Sequence, residues 1–447
     1  MASSIANSWY TNLEQVAPTL ARYYDHSTSL AGRLKPSKTV AASRYLYRQP
    51  FMQWVGGTYK KYIANAGVLG SGTGPLMNAL EAGYFDSTFA FSITKEQMDY
   101  KMSNGSAMAD VLTEILSGAF QEIDVYDNIN LFNDGTGKLT NAASTGTSTT
   151  LTFAASTDTK GVNQVRVGTM VDVWDSTGAT LRAGGPYLIS NIDVASKTVT
   201  FSAAPTGMGT TDLIAVADLD VYGPSTLTSF SSTWPGGGLS NAPGLTGDSW
   251  RHGLPYANDA TGANYYLGKL KSSYYQLVPA TIAAAGAALT FSMIETAKNL
   301  AIQQRDETIL DGMECVVHMA QRQQLQDTLT AVSNFYRDAG NKSAEMIDLI
   351  PRGANMFTAA GLNFIVDKRQ DKARVDAFNS KNWFRVEGHP TEWYDYGEGR
   401  KVWNTVDSTT GDPKAEWQMQ IVQKMDTGCM DPGASFYISG LAVPTNY

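Results

Sequence analysis

The residues able to do chemistry are few and scattered. The chain of 447 residues has four histidines (His26, His252, His318 and His389) and two cysteines (Cys315 and Cys429). Cys315 and His318 lie three apart in the apolar run 313–318, which reads as a strand. Positions i and i+3 of a strand face opposite ways, so this pair cannot share a metal ion. His252 and His389 belong to no ligand cluster, and a structural or exposed role is the stronger reading for each. Two distant cysteines exclude a disulfide-dense scaffold and a four-cysteine zinc site; a single bridge stays open, with two buried thiols preferred. Glu392, Asp395 and Glu398 sit among Trp393, Tyr394 and Tyr396. Paired carboxylates could hydrolyse a glycosidic bond, but an exposed turn at an interface fits better, because nothing in the pattern builds a cleft. Gly67, Gly70, Gly72 and Gly74 could cradle a phosphate, yet no Gly-Lys-Ser/Thr leads from them into a helix. Gly135-Thr-Gly-Lys138 comes nearer, but Leu139 stands where Ser or Thr is needed and the stretch follows a helix. The sequence holds no Gly-x-Ser-x-Gly elbow, His-Glu-x-x-His pair or dinucleotide fingerprint. No catalytic, cofactor-binding or metal-ligating residue is assigned, and the chain reads as a non-enzyme without a cofactor.

Composition points the same way. There are 34 basic and 42 acidic residues, a net charge of −8 and a pI near 5.1. That balance argues against a protein that grips nucleic acid through its phosphates. Charged residues make up 17% of the chain, against about 25% in ordinary soluble proteins. Such a chain has less surface that must face water, which suits one that meets other chains. The first ten residues lack a basic and an apolar region, so no signal peptide is expected. The stretch 277–294 contains Pro279 and Gly286 and is too weakly apolar for a membrane span.

The elements follow from periodicity. Residues 1–48 read as an extended arm with a short helix near 13–24. Residues 51–63 and 84–102 read as two strands around a Gly-Pro segment, a long hairpin-like excursion. Over 104–132, Met108, Val111, Leu112, Ile115, Ala119, Ile123 and Tyr126 recur at helical spacing, with Ser106 as cap and Asp110 in the first turn. Gly118 inside that helix costs about 1 kcal/mol relative to alanine, which predicts a close neighbour there and an overpacked Gly118→Leu. Residues 139–222 are rich in Thr, Ser and Gly, and five or six short alternating runs predict a small antiparallel barrel or sandwich. Its acids read as solvated turns, not as a calcium site. Residues 223–262 read as a long loop lying across neighbouring subunits. Beyond them, Ser292-Met-Ile-Glu295 reads as a capping box, with strands at 277–280, 313–318, 364–367, 383–386, 418–424 and 436–443.

Four stretches carry a family resemblance: Tyr45-Leu-Tyr-Arg-Gln-Pro50, Leu69-Gly-Ser-Gly-Thr-Gly-Pro75, Phe91-Ser-Ile-Thr-Lys95 and the helix exit Asn130-Leu-Phe-Asn-Asp-Gly-Thr-Gly137. In this segment order the chain resembles the tailed-bacteriophage major capsid proteins of the Hong Kong ninety-seven type. The resemblance implies an α+β fold with an N-terminal arm (1–48), an extended hairpin loop (49–101) and a peripheral domain with a long spine helix (102–138). It further implies a connecting loop and peripheral segment (223–269), an axial domain (270–375) and a return to the peripheral domain (376–447). Residues 139–222 depart from the minimal fold as an inserted β-domain. The implied function is a virion head protein, made in the host bacterial cytoplasm, that self-assembles into hexamers and pentamers around double-stranded DNA. Its implied partners are other copies of itself, a portal protein, and scaffolding and decoration proteins where used; it enters no membrane. No long charged leader precedes the arm, so none is expected to be removed. Gly67, Gly70, Gly72, Gly74, Pro75, Trp393 and Tyr394 are the expected inter-subunit contacts. The competing reading is a β-rich surface or carbohydrate-binding protein that uses 139–222 as its reader.

Overall fold

The computed structural model describes residues 30, 40–43, 46–56, 74–94, 107–135, 137–141, 149–152, 161–176, 180–217, 251, 253–262, 265–327, 356–395, 403–406, 410–411 and 413–444. The expected helix near 13–24, Gly67, Gly70, Gly72 and most of the 223–262 loop lie outside them. The chain divides into two compact units. The smaller comprises 1–28, 87–127 and 391–422; the larger comprises 29–86, 128–390 and 423–447.

The larger unit opens with three antiparallel strands, β1 (Val40–Ser43), β2 (Leu46–Trp54) and β3 (Leu76–Gly83). The strands β2 and β3 run in register from Leu46↔Gly83 to Met52↔Met77, then shift before Trp54↔Leu76. Along β2 burial alternates with period two: Tyr47 is buried, Gln49 and Phe51 are half-buried, and Arg48, Pro50 and Met52 are exposed. One face is therefore seated and the other bare. The next strand, β4 (Phe85–Thr94), leads towards helix α1 (Ala107–Asn130), whose 24 residues span about 36 Å.

A second sheet follows, built from β5 (Lys138–Asn141), β6 (Thr150–Thr152), β7 (Met170–Trp174), β8 (Tyr187–Asp193), β9 (Thr198–Phe201) and β10 (Leu213–Val216). Its order is β5-β10-β7-β8-β9-β6, antiparallel throughout. Leu139, Leu151, Val171, Val173, Tyr187, Ile189, Val199, Phe201 and Ile214 belong to one buried core, to which all six strands contribute. Entry and exit strands are partners, Leu213 opposite Asn141, so the chain enters and leaves this sheet at one place.

The remaining core of the larger unit is a mixed sheet. After helix α2 (Leu254–Ala257) and the short pair β11 (Tyr265–Tyr266) and β12 (Lys269–Leu270) come β13 (Ala280–Ala283), helix α3 (Phe291–Gln304), β14 (Met313–Val317), β15 (Met356–Ala359), β16 (Leu362–Val366) and β17 (Val375–Asn379). The chain then forms β18 (Trp383–Trp393), β19 (Trp403–Val406), β20 (Pro413–Cys429) and β21 (Phe436–Ser439). The mixed sheet has the order β13-β21-β17-β14-β16-β15, with β13/β21 and β14/β16 parallel. All of β17 and nearly all of β14 is buried, as central strands covered on both faces require. The helix α3 lies on this sheet through Ile294, Ala297 and Ala301. The sheet takes β17 and β21 from at or beyond residue 375, where the axial segment was expected to end; β21 supplies the edge on which β13 pairs in parallel.

Two local expectations need correction. The cap of α3 is Thr290, whose side chain accepts from the Met293 N–H at 3.3 Å. Ser292 and Glu295 match the capping-box spacing but lie inside the helix, where Glu295 pairs with Lys298 instead. At Gly118 no close neighbour is present: an added Cβ meets nothing within 4 Å among the described residues. The glycine therefore carries only its backbone entropy. Gly118→Ala is expected to stabilise the fold by about 0.5–1 kcal/mol, read as a small rise in Tm; a fall would reveal a contact at this position.

In the smaller unit, Ala119 and Ile123 of α1 and Ile421 of β20 are buried together, with Phe89, Phe91, Phe120 and Trp393 packed around them. The strands β4, β18, β19 and β20 form one sheet, in which both β4 and β18 pair with β20. On β4, Phe89 and Phe91 point inward while Thr88, Ala90 and Ser92 alternate outward.

Candidate subunit interface

The groups that might have done chemistry do not converge. Cys315 and Cys429 are both free and buried, and burial pushes both thiols well above their ordinary range. A thiol so raised is neither a nucleophile nor a ready redox partner. Among the described residues no three His, Cys, Asp or Glu side chains come together to hold a metal ion, and no helix is long and apolar enough to cross a membrane. Glu392 and Asp395 are exposed, flanking the end of β18; Glu398 lies outside the described residues.

His318 has a structural task. It follows β14, is 2% exposed, and its Nδ1 accepts the Ala320 N–H at 3.0 Å where the next helical turn begins. Burial, and then the charge of Lys372, lower its pKa from 6.5 to about 4, against a weaker opposite pull from a backbone hydrogen bond at Lys368. Gln321, one turn on, donates to the Lys372 and Ala442 carbonyls at 2.6 and 2.8 Å. The unfolded chain binds a proton at this ring below pH 6.5 and the folded chain does so only near pH 4. The stability it contributes is thus full above pH 6.5 and is lost as pH falls towards 4. The loss is on the order of 3 kcal/mol. The difference in denaturation midpoint between pH 7 and pH 4.5 is expected to shrink in His318→Gln; an unchanged difference would assign the pH dependence to other groups.

The surface that stands out is the far end of the β2–β3 hairpin. Near the body one hairpin face is covered. Tyr47 and Leu80 are fully buried, the Tyr47 hydroxyl donates to Asp426 at 2.8 Å, Phe51 meets Tyr274 edge-on at 6.0 Å, and Asn78 donates to the Tyr274 hydroxyl at 2.8 Å. Beyond Asn78 the pattern changes. Leu76 is 49% exposed and Met77 60%, although adjacent strand residues face opposite ways; Met52 (52%) and Val55 (75%) are bare beside them. Among the described residues both faces of this stretch of β2 and β3 are therefore open, and both carry apolar side chains. Gly74 and Pro75 lie at this end, exposed, with nothing near Gly74 among the described residues.

The other expected contacts fall in the smaller unit. Trp393 is half-buried, its ring 5.2 Å from Phe120 and 5.9 Å from Phe91, so it serves that unit's own core. Tyr394 is 43% exposed, and its N–H donates to the Gln420 carbonyl at 2.8 Å. Trp403 and Val406 on β19 are exposed as well. The sequence reading missed these two, and also Met52, Val55, Leu76 and Met77. Leu76 and Met77 are adjacent, and Met52/Val55 and Trp403/Val406 lie three apart, so no period-two pattern marked them.

With this geometry described, the chain can be set beside known proteins. No family model matches the chain, and no curated protein matches it. Solved structures similar to it include phage capsid proteins. One is the capsid of cyanophage A-1(L), at 12% identity, covering 96% of this chain and 99% of that one, with a TM-score of 0.46. A second is the capsid of an empty GTA particle, at 9% identity and 98% coverage of both chains, TM-score 0.46. An encapsulin complex from Synechococcus elongatus is also similar, at 9% identity, covering 98% of this chain and 97% of that one, TM-score 0.40.

Proposed function

We propose that the chain is the major capsid protein of a tailed bacteriophage: a shell subunit that assembles into hexamers and pentamers around double-stranded DNA. One observation carries the reading. The hairpin end holds Met52, Val55, Leu76 and Met77 bare on both faces, a shape suited to lying across another copy. Apolar groups left in water gain about 25 cal/mol per Å² when a neighbour covers them, before association costs. The segment order read from the sequence supports the same assignment. So does the net charge of −8, which lets a wall enclose DNA without adhering to it. On this reading the arm, hairpin and connecting loop join neighbouring copies, the six-stranded insert is an added β-domain, and portal, scaffolding and decoration proteins are the partners. The protein resides in the virion shell.

Electron microscopy of the purified protein tests the assignment. Closed icosahedral particles are expected. Only small monomers, under every assembly condition and in the virion fraction, would end it. Nucleic-acid content separates a phage head from a protein compartment: particles from the virion fraction without DNA would remove the genome from the proposal while keeping the shell.

A further inference from the structure

The hairpin end is unusual in its sulfur. Of the 16 methionines in the chain, Met208, Met313 and Met425 are buried at 3–4% exposure. Among the described residues the exposed ones are Met52, Met77 and Met170. Met52 and Met77 are register partners across β2 and β3, so their side chains stand next to each other on one face. Unbranched, polarisable thioethers fill irregular contacts well. They are also the side chains that a peroxide oxidises where solvent reaches them.

We infer that Met52 and Met77 form an oxidation-sensitive site, at which peroxide blocks association of the hairpin with a second copy of this chain. In the step, a sulfur lone pair attacks one oxygen of hydrogen peroxide and the O–O bond breaks. The sulfur keeps one oxygen as the sulfoxide, and the other leaves as water with both protons. Each thioether loses two electrons and each peroxide gains them. The product side chain is polar, and two of them opposite each other replace an apolar contact with a hydrated one. The inference rests on the proposed role of the hairpin as a contact between copies.

The test uses the full-length protein and hydrogen peroxide. Unassembled subunits are treated, mapped by peptide mass for a gain of about 16 Da at each methionine, and then assayed for assembly by sedimentation and microscopy. Met52 and Met77 are expected to oxidise well before Met208, Met313 and Met425, and treated subunits are expected to assemble at least tenfold less than untreated ones. Each variant is compared with its own untreated sample: Met52→Leu/Met77→Leu should lose the peroxide effect, and Met170→Leu should keep it. In closed particles, Met52 and Met77 should oxidise at least tenfold more slowly than in free subunits. Normal assembly after oxidation, a double-leucine variant as peroxide-sensitive as the parent, or equal rates in particles and subunits would each overturn the inference. The underlying reading fails separately: untreated Met52→Glu/Met77→Glu protein that assembles normally would show that the hairpin end is not a contact.

Discussion

Asp376→Ala is expected to lower the unfolding free energy by about 3–5 kcal/mol, the loss typical of removing one partner from a buried ion pair. Asp376 lies in β17 with no exposure. Both its oxygens accept from the Arg374 Nε at 2.8–2.9 Å, and Oδ1 also accepts from Nη2 at 2.8 Å. Gln370 and Asn258 donate to the same carboxylate at 2.8 and 3.1 Å. The web goes further. Arg374 donates to the Asn258 carbonyl and lies 4.2 Å over the Tyr437 ring, while Ser435 donates to the Asn258 side-chain oxygen at 2.6 Å. Burial pulls the Arg374 pKa down more than any single neighbour raises it, but the Asp376 charge and hydrogen bonds, with Tyr437 and Asp371, together outweigh burial and raise it. Alanine at 376 would leave the buried guanidinium without its counter-charge, and would reduce Asn258 and Gln370 to their bonds with the Ala377 and Arg374 carbonyls at 2.8 and 3.4 Å. A fall in Tm of roughly 5–10 °C follows. Asp311→Ala is the matched control: its partner Lys381 is close, but both side chains are mostly exposed, at 79% and 59%, and such a pair contributes about 0–1 kcal/mol. Equal losses for the two variants, measured by denaturant unfolding, would show that the buried network is not a keystone of the larger unit.

That network also marks where sequence reading stops. The strands β14 and β16 were legible as apolar runs, α1 as a helical stripe, and the strands of the insert as alternation between turn signals; β17, Val-Asp-Ala-Phe-Asn, carries no such run and was missed. The legible ones are local patterns, set within five to twenty residues. Asn258, Gln370, Arg374, Asp376 and Ser435 meet across as many as 177 residues of sequence, and no local period links them. The same limit hid the pairing of β13 with β21, 156 positions apart by the Ala280↔Phe436 register. Thr290 failed for a different reason. Ser292 and Glu295 fit the capping spacing, and only the start of the helix at Phe291 decides which hydroxyl sits at the cap. Gly118 was misread because a costly helix residue suggested a compensating contact, and the described surroundings hold none. At the hairpin, the sequence reading set 84–102 as the strand returning beside 51–63, but β2 pairs with β3 (Leu76–Gly83) and β4 pairs with β20 instead. Which of the hairpin's apolar residues would stay uncovered depended on where the Tyr47 and Leu80 face found its seat, and that is settled by tertiary packing alone.

Val55→Asp/Leu76→Asp is expected to leave the subunit folded and to abolish assembly. Both positions are open, at 75% and 49% exposure, and substitutions at such sites usually change stability by no more than about 0.5 kcal/mol. The unfolding transition should therefore match that of the parent. Assembly is another matter. Covering a Val or Leu side chain contributes roughly 1.5–3 kcal/mol, and the variant forfeits that for two residues in every contact. It also carries two carboxylates into the same contact, where taking an ion out of water costs several kcal/mol unless a partner charge meets it. Since about 1.4 kcal/mol is tenfold in affinity, the loss amounts to several powers of ten per contact, and a closed shell repeats the contact in every subunit. Removal of Gly67 to Pro75, which shortens the same end, should give the same folded but unassembled protein. Sedimentation together with microscopy reads both variants: well-formed particles from either would take the hairpin out of the interface, whereas unfolded protein from both would mean that its end belongs to the fold of the single chain.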